Sequence, residues 1–324
     1  LALCVLALVY AALAAREAWA DAGFGAEPSG EPRTGVCIGS TLGSPDTSEK
    51  LFEEYVCSRS LERMKSTLFF QIMGHSAASN VALALGLTGR TVAASSACST
   101  GCQSVGIAWE FIRAGREERM LAGGADELHP MTAATFDIIN AASFGYNERP
   151  QATPRPFDRG RDGVVCGEGA GVLLLEEREA ALRRGARILA EITGFSTVGD
   201  PTGIAHPNAL AMAACMREAL ADAGIAPEGV AYVNAHATGT EQGDAAEAEA
   251  IASVLGAAPP VSSLKGHMGH TMAASGALEL IAVVDMMRRG EIFPTLNLDD
   301  LDPACAMVRH ARPGERLAPG AVLK

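Results

Sequence analysis

The chain has 324 residues, of which 48% are hydrophobic and 5% aromatic, so it can bury the core of one large domain or of two fused half-domains. Its net charge of -12 comes without a long run of lysine or arginine, which argues against a surface for DNA or RNA. The eight cysteines are scattered without CxxC pairs, a distribution typical of reduced thiols in a cytoplasmic protein rather than of a secreted disulfide scaffold.

The apolar opening LALCVLALVYAALAAREAWA has the composition of a secretory signal, but an internal sequence repeat favours a buried helix. AREAWADAGF at 15–24 returns as MREALADAGI at 216–225, and the second copy also follows a run of small apolar residues. Both runs predict a helix that ends at a glycine, Gly23 or Gly224. The chain begins at Leu1 without a basic segment, so we expect neither a signal peptide nor a membrane span.

The sequence repeat extends to the segments that follow these helices. The strand-like TGVCIGSTLG at 34–43 matches EGVAYVNAHATGT at 228–240, and GRTVAASSACSTG matches APPVSSLKGHMGH further along. We therefore predict an internally duplicated α/β chain, with one half at 1–175 and the other at 176–324. Equivalent loops of two such halves are expected to meet at a site.

The first of these loops contains Cys98. TVAASSA predicts a fully buried strand, and STGCQSVGIAWEFIRAG predicts a helix whose apolar face carries Val105, Ile107, Trp109 and Ile112. Cys98 then lies at the turn where helix amides stabilise a thiolate, although a buried structural cysteine stays an alternative. Cys102, one turn further into the helix, is interpreted as structural.

The second loop and the opening of the next helix contribute His236, Lys265 and His270. A thiolate nucleophile, imidazoles that donate to developing negative charge and a nearby cation form a constellation for acyl transfer and carbanion chemistry. The histidines with Cys98 would also suit zinc. Lys265 would repel a metal ion, however, and HMGH crosses a glycine turn, so we expect no metal site.

Five segments resemble, in order, motifs of the beta-ketoacyl-acyl carrier protein synthases of types I and II. They are ACSTG, MLAGGADELHP (120–130), RPFDRGRDGVVCGEGAGVLLLEE (155–177), NAHATGTEQGDAAE and LKGHMGHTMAASGALE. The resemblance covers essentially the whole chain and implies a thiolase-like fold of two duplicated halves in a layered αβαβα core. It also implies an acyltransferase that condenses an acyl thioester with malonyl-acyl carrier protein, with loss of carbon dioxide, in fatty-acid or polyketide biosynthesis.

The resemblance implies a role for each of the four central side chains. Cys98 would accept the acyl chain from the phosphopantetheine thioester of its carrier. His236 and His270 would donate hydrogen bonds to the enolate formed by decarboxylation of malonyl thioester. Lys265 would supply a fixed positive charge beside them.

Further residues match supporting positions of the family. Glu247 corresponds to a carboxylate near the lysine, and Thr238 with Thr240 to threonines that contact the pantetheine arm. Leu42, in GSTLG, would close the acyl tunnel of the neighbouring subunit of a dimer. His267 matches no catalytic position and is interpreted as structural.

The implied partner is an acyl carrier protein, which is acidic like this chain, so docking requires a local basic patch. Arg63 and Lys65 lie where the family places carrier-contacting residues. The resemblance further implies a homodimer, or a heterodimer with a ketosynthase-like subunit, and no cofactor beyond the carrier's phosphopantetheine.

One further expectation concerns the length of the chain, and other classes of protein are alternatives to the enzyme. Compared with the family, the chain is expected to lack the first strand and the C-terminal glycine-rich loop, and so to be truncated at both ends. The alternatives to the enzyme are a non-catalytic partner subunit of the same fold and an inactive fragment, but such subunits replace the nucleophilic cysteine, which this chain keeps. An α/β-hydrolase would need a G-x-S-x-G elbow, which the sequence does not contain. The acyl chain and the pathway are left open.

Overall fold

The structure is a computed structural model that describes residues 5–25, 34–60, 62, 64–203 and 206–324. Its helices in these ranges are α1 (Leu6–Asp21), α2 (Pro45–Ser58), α3 (Ser66–Ile72), α4 (Ser76–Leu85), α5 (Thr100–Arg113), α6 (Pro130–Ile138), α7 (Arg178–Arg183), α8 (Ala209–Ala223), α9 (Glu241–Leu255), α10 (Lys265–Met268) and α11 (Ser275–Arg289). Its strands are β1 (Thr34–Gly39), β2 (Thr91–Val92), β3 (Arg119–Asp126), β4 (Gly169–Glu176), β5 (Val230–Asn234), β6 (Pro260–Ser262), β7 (Arg309–His310) and β8 (Ala321–Leu323).

The described residues form two compact units that interleave along the chain. Unit 1 is drawn from 1–132, 167–188 and 271–281, and unit 2 from 133–166, 189–270 and 282–324. The predicted division of the chain between 175 and 176 concerns the sequence repeat and stays a prediction.

The sheet of unit 1 has the strand order β2-β1-β3-β4. β1 runs parallel to β2 and β3, whereas β3 and β4 are antiparallel and paired from Arg119 opposite Glu176 to Asp126 opposite Gly169. Every residue of β1 and β3 is buried, because these strands have a neighbour on each side and helices on their faces. The carboxyl ends of β1 and β3 lie side by side, which brings their exit loops together.

Helix α1 supplies a large part of the unit 1 core. Ala11 and Ala15 are fully buried, and the ring of Trp19 stacks on Phe24 with their centroids 4.4 Å apart. The indole Nε1–H donates to the carbonyl of Gly25 at 3.0 Å, so the buried ring leaves no polar atom unpaired. The helix predicted from the apolar opening is confirmed, and Gly23, with φ +85°, follows its C-cap.

The prediction of a fully buried strand over TVAASSA is wrong. Only Thr91 and Val92 form β2, with Thr91 exposed and Val92 half-buried. β2 is the outer strand of the sheet, so one of its edges has no neighbouring strand in the described chain. The β-branched and alanine-rich composition therefore reflects the edge of the sheet rather than its centre.

Helix α5 begins at Thr100 as predicted, but small residues dominate its buried face. Gly101, Ser104, Val105 and Ala108 are buried, whereas Ile107, Trp109 and Ile112 are only half-buried. A Cβ on Gly101 would lie 2.7 Å from the carbonyl oxygen of Ala273, so the two backbones approach too closely for a larger residue. Close approach thus selects the small residues for this face.

Unit 2 contains a parallel sheet with the strand order β7-β6-β5-β8. Tyr232 in β5 and Ile251 in α9 are fully buried, and α8 ends at Gly224 in the left-handed conformation, as predicted. Because β5 and β6 are parallel neighbours, their carboxyl ends open at one edge of the sheet. The predicted site loops at 235–240 and 263–270 follow these two ends.

No single helix in the described ranges is both long and apolar enough to cross a membrane. The pair Ser66–Ile72 and Ser76–Leu85 reaches the required length and hydropathy only together, across a bend of 106°.

Truncation of the buried indole should destabilise the protein strongly. We expect Trp19→Ala to lower the free energy of unfolding by about 3–5 kcal/mol, because it removes a stacked ring and leaves a cavity. Leu13→Ala on the exposed side of the same helix is the matched control, with an expected change within about 0.5 kcal/mol. Urea denaturation of both variants measures the difference, and equal losses would contradict this account of the core.

Candidate active site

Cys98 lies in unit 1 in a short 3-10 turn, Ala97–Ser99, directly before α5. Ala97 has φ +45°, an unusual conformation for a residue with a side chain. The amide of Ser96 donates to Thr100 Oγ1 at 2.8 Å, and Ser99 Oγ donates to the carbonyl of Ser96 at 2.9 Å. These bonds fix the turn, and the half-buried Cys98 thiol lies at the N-terminal end of a 14-residue helix, as predicted.

The other thiols are distinct from Cys98 in their setting. Cys102 lies inside α5, where a Cβ on Gly276 would come within 2.6 Å of its Sγ atom, consistent with a packing role. Each cysteine in the described ranges is reduced. Burial raises the pKa of both Cys37 and Cys305 to about 11, which keeps these two thiols protonated.

His236 lies in unit 2, two residues after the end of β5. The carboxylate of Glu247 in α9 accepts from the backbone amides of His236 and Ala237, each at 2.7 Å. Glu247 therefore fixes the backbone that carries the imidazole, a role more specific than the location near the lysine that the resemblance implied. A carboxylate suits this position because it accepts two hydrogen bonds and donates none.

Ser263 connects the loop of His236 with the turn of Lys265. Its hydroxyl donates to the carbonyl of Ala237 at 2.8 Å and accepts from the amide of Lys265 at 3.2 Å. The amide of Ala235 also donates to Ser262 at 2.9 Å. The exit loops of the two parallel strands are consequently held in a fixed relation to each other.

His270 is held next to a segment that precedes β4. Its amide donates to the carbonyl of Val165 at 2.8 Å, and it forms an isolated parallel bridge with Cys166. Its side chain is buried, and its ring meets the ring of His236 edge-on, with centroids 5.1 Å apart and planes at 85°. The ring centroid of Phe136 lies 6.4 Å from that of His270.

The electrostatics around His236 favour its neutral imidazole form. The pKa of His236 is held well below its usual range, first by burial and then by the positive charges of Lys265, His270 and Lys324. The Lys265 side chain is fully buried. A neutral imidazole carries one N–H donor, and a buried ammonium nearby favours negative charge on a ligand and disfavours a second cation.

Asp244 fixes the loop between His236 and α9 through hydrogen bonds to backbone amides. This carboxylate accepts from the amides of Gly239 at 3.1 Å and Phe157 at 2.8 Å, and burial raises its pKa to about 7. The hydroxyls of Thr238 and Thr240 lie 3.2 Å apart on the same loop. Both threonines are half-buried.

The other predicted positions are His267 in unit 2 and Leu42 and Lys65 in unit 1, together with Arg63. His267 is exposed and donates from Nε2 to the carbonyl of Pro294 at 2.8 Å, in line with a structural role. Leu42, in the turn after β1, has 54% of its surface exposed. Lys65 is exposed at the start of α3, and Arg63 lies outside the described residues.

Within unit 2 the structure brings His236, His270, Lys265 and Glu247 together, whereas Cys98 belongs to unit 1. The catalytic and binding roles of these residues stay predictions. Sequence reasoning missed Ser263, whose signal was a polar residue at the end of a buried strand, two residues before the lysine.

Comparison with known proteins places the chain among the beta-ketoacyl synthases. The model of the beta-ketoacyl synthase N-terminal domain matches residues 5–181, and that of the C-terminal domain matches residues 189–299. The chain belongs to the beta-ketoacyl synthase family.

Individual relatives agree with this family. A putative mitochondrial 3-oxoacyl-[acyl-carrier-protein] synthase of Schizosaccharomyces pombe is 36% identical over 92% of the chain and 71% of its own length. The crystal structure of a beta-ketoacyl synthase from Burkholderia phymatum is 44% identical, with a TM-score of 0.92, 96% of this chain covered and 76% of the other.

A complex of a type II PKS acyl-carrier protein with its ketosynthase bound to the hexaketide is 32% identical, with a TM-score of 0.88, covering 94% and 77% of the two chains. The predicted α/β, thiolase-like fold is confirmed by these structures. The chain spans 71–77% of the lengths of these three relatives.

The depressed pKa of His236 predicts a pH dependence of stability. An unfolded histidine titrates near its ordinary pKa, whereas the folded one stays neutral, so the unfolded state binds more protons and stability falls as pH drops below about 6.5. We expect this group to remove about 1.4 kcal/mol per pH unit until the folded pKa is reached. Unfolding of parent and His236→Gln at pH 7.5 and 5.0 should show a smaller loss in the variant. Thr238→Val, a non-titrating change in the same loop, should lose as much as the parent. An equal loss in His236→Gln would refute this assignment.

Proposed function

We propose that the chain is an acyltransferase that condenses an acyl thioester with malonyl-acyl carrier protein, releasing carbon dioxide and forming a beta-ketoacyl-acyl carrier protein. The observation that carries the proposal is the half-buried His236, whose pKa is held well below its usual range, packed edge-on against the buried His270 in a family member that retains Cys98 at a helix start. Lys265 contributes a positive charge to this group. The two half-reactions divide between these groups.

The first half-reaction is acyl transfer to Cys98. The thiolate attacks the carbonyl of the carrier-bound thioester, a new C–S bond forms, and the bond to the pantetheine sulfur breaks. The pantetheine thiolate leaves and takes up a proton. The N-terminus of α5 supports this step because the helix dipole favours negative charge at the attacking sulfur.

The second half-reaction forms the carbon-carbon bond. Malonyl thioester loses carbon dioxide, and the electron pair of the broken bond passes into an enolate. N–H groups of His236 and His270 donate to the enolate oxygen, and Lys265 adds a fixed positive charge. The carbanion attacks the acyl-Cys98 carbonyl and expels the thiolate, which restores the free enzyme.

Pantetheine recognition is assigned to Thr238 and Thr240, whose hydroxyls are adjacent on the loop that follows His236. Their hydroxyls can donate to or accept from the amides of the pantetheine arm. The chemistry assigned here needs no cofactor beyond the carrier's own phosphopantetheine, because thiol, imidazole and ammonium supply every step.

We further propose that the protein acts in the cytoplasm.

The proposed assembly is a homodimer, with a heterodimer that includes a ketosynthase-like subunit as the alternative. The edge strand β2 and the exposed Leu42, both in unit 1, support this assembly. An outer strand offers unpaired backbone groups to a second chain, and an exposed leucine is available to reach a neighbouring acyl tunnel.

The proposal predicts that the histidines are needed for decarboxylation and not for acylation. In the intact protein, His236→Ala and His270→Ala should still form acyl-Cys98 from an acyl thioester. Each should slow release of carbon dioxide from malonyl carrier by about 10²-fold or more, because an enolate donor is lost. Labelled malonyl carrier and mass analysis of the Cys98 peptide give the two readouts.

His267→Ala is the matched control for this experiment, since it removes an exposed histidine from the same segment and should keep the parental decarboxylation rate. Parental decarboxylation by either active-site variant would remove that histidine from the mechanism. Acylation of a thiol other than Cys98 in the parent would overturn the nucleophile.

Carrier docking at Arg63 and Lys65 gives a second prediction. Arg63→Glu with Lys65→Glu should raise the KM for carrier-bound substrate about fivefold, equivalent to two exposed ion pairs of about 0.5 kcal/mol each. Turnover of a small pantetheine-thioester mimic should stay unchanged. Arg178→Glu with Arg183→Glu, an equal change of charge on exposed positions, is the control. Equal effects of both pairs, or equal losses with carrier and mimic, would reject this docking site.

A further inference from the structure

We propose that Asp126 is a positioning residue for the nucleophile. Its buried carboxylate ties the exit loop of β1 to the turn that supports the first residues of α5, and it thereby fixes the turn that carries Cys98. The inference rests on the proposed role of Cys98 and concerns residues of unit 1 alone.

Asp126 ends β3, and its carboxylate has three partners from two distant segments. Oδ1 accepts from Ser40 Oγ at 2.5 Å and from the amide of Thr41 at 2.9 Å. Oδ2 accepts from the amide of Ala273 at 2.8 Å. The side chain thus bridges positions 86 residues before it and 147 residues after it, and only 4% of its surface is exposed.

The Ala273 peptide lies directly under the start of α5. Its carbonyl oxygen contacts the backbones of Gly124 in β3 and Gly101 in α5, and a Cβ on Gly101 would lie 2.7 Å from it. The amide of Ala273 is therefore bonded to Asp126, and its carbonyl oxygen fills the space between β3 and α5. Gly101 comes three residues after Cys98, so a displacement of Ala273 would move the helix start that carries the thiol.

A second connection reaches the other side of the nucleophile turn. The carbonyl of Ser40 accepts from Ser95 Oγ at 3.2 Å, and Ser95 comes three residues before Cys98. Ser40 Oγ also accepts from the amide of Gly43 at 2.9 Å, which shapes the turn that presents Leu42. Asp126 consequently acts on both flanks of the Cys98 turn, through Ser40 on one side and Ala273 on the other.

The neighbouring Glu127 provides an internal comparison. Its surface is also 4% exposed, and it accepts from Ser44 Oγ at 2.7 Å and from the amide of Asp46 at 3.2 Å. It also accepts from the amide of Ala7 at 3.4 Å. Glu127 therefore holds the starts of α1 and α2, whereas Asp126 bonds to the Ser40 and Ala273 segments. Removal of either carboxylate should lower the stability of the protein, whereas only removal of the Asp126 carboxylate should displace the Cys98 thiol.

The test compares Asp126→Ala, Asp126→Asn and the matched control Glu127→Ala in the intact protein. The measured quantities are the second-order rate constant of Cys98 with iodoacetamide and with a short acyl-pantetheine thioester, and the number of reactive Cys98 thiols per chain. We expect Asp126→Ala to lower the acylation rate constant about tenfold, since small displacements of a reacting group are costly. Asp126→Asn should recover most of the rate, because an oxygen in the place of Oδ2 can accept from the amides of both Thr41 and Ala273 while its NH2 group donates to Ser40 Oγ. Glu127→Ala should keep the acylation rate constant within twofold, and any unfolded fraction should lower only the amount of Cys98 that is acylated at that rate.

A parental rate constant in folded Asp126→Ala, or an equal loss in Glu127→Ala, would overturn the positioning role. If Asp126→Ala does not fold, Ser95→Ala takes its place, because it removes the exposed hydroxyl next to the turn. A loss of about threefold is then expected, and an unchanged rate would overturn the proposal. Failure of the parent itself to become acylated at Cys98 would instead refute the proposed nucleophile, so the two failures are distinguishable.

Discussion

Buried amide groups at the carboxyl ends of the central strands need acceptors, and two carboxylates meet this need. A strand exit loop that leaves a sheet inside the protein exposes N–H groups that water cannot reach, and an unpaired buried N–H costs about 1–3 kcal/mol. Glu247 pairs two such groups at His236 and Ala237, and Asp126 pairs two at Thr41 and Ala273. In each unit, the loop geometry that carries a candidate catalytic side chain depends on one acceptor-only residue.

The same carboxylates introduce a charge that burial disfavours, so the loops depend on a balance between desolvation and hydrogen bonding. At Asp126, burial raises the pKa while the bonds from Ser40, Ala273 and Thr41 lower it, in that order of size. At His236 in unit 2 there is no such opposition. Burial and the positive charge of Lys265 both lower its pKa. The outcome is a neutral imidazole at His236 next to the buried side chain of Lys265.

The sequence predicted the elements whose signals are local, and it failed where packing of distant segments decides. The repeated AREAWADAGF and MREALADAGI gave the two glycine-terminated helices, and the strand-like runs gave β1 and β5. TVAASSA was misjudged because no local pattern tells a central strand from an edge strand. The contact of Gly101 with Ala273 joins residues 172 positions apart, so the small-residue face of α5 could not be recognised from periodicity.

The candidate site shows the same division between residue type and residue role. Cysteine at a turn, histidine after a strand and lysine before a histidine are visible in the sequence because chemistry restricts these positions to few residue types. Ser263 and Asp126 act through hydrogen bonds to backbone atoms, and a serine or an aspartate at a strand end has many ordinary explanations. Such residues become meaningful only when the partner atoms are known, because their effect is to decide where another side chain lies. The low aromatic content and abundant alanine and glycine fit this arrangement, since the supporting contacts are made between backbones that approach closely, and each additional side-chain atom there would displace the loop it supports.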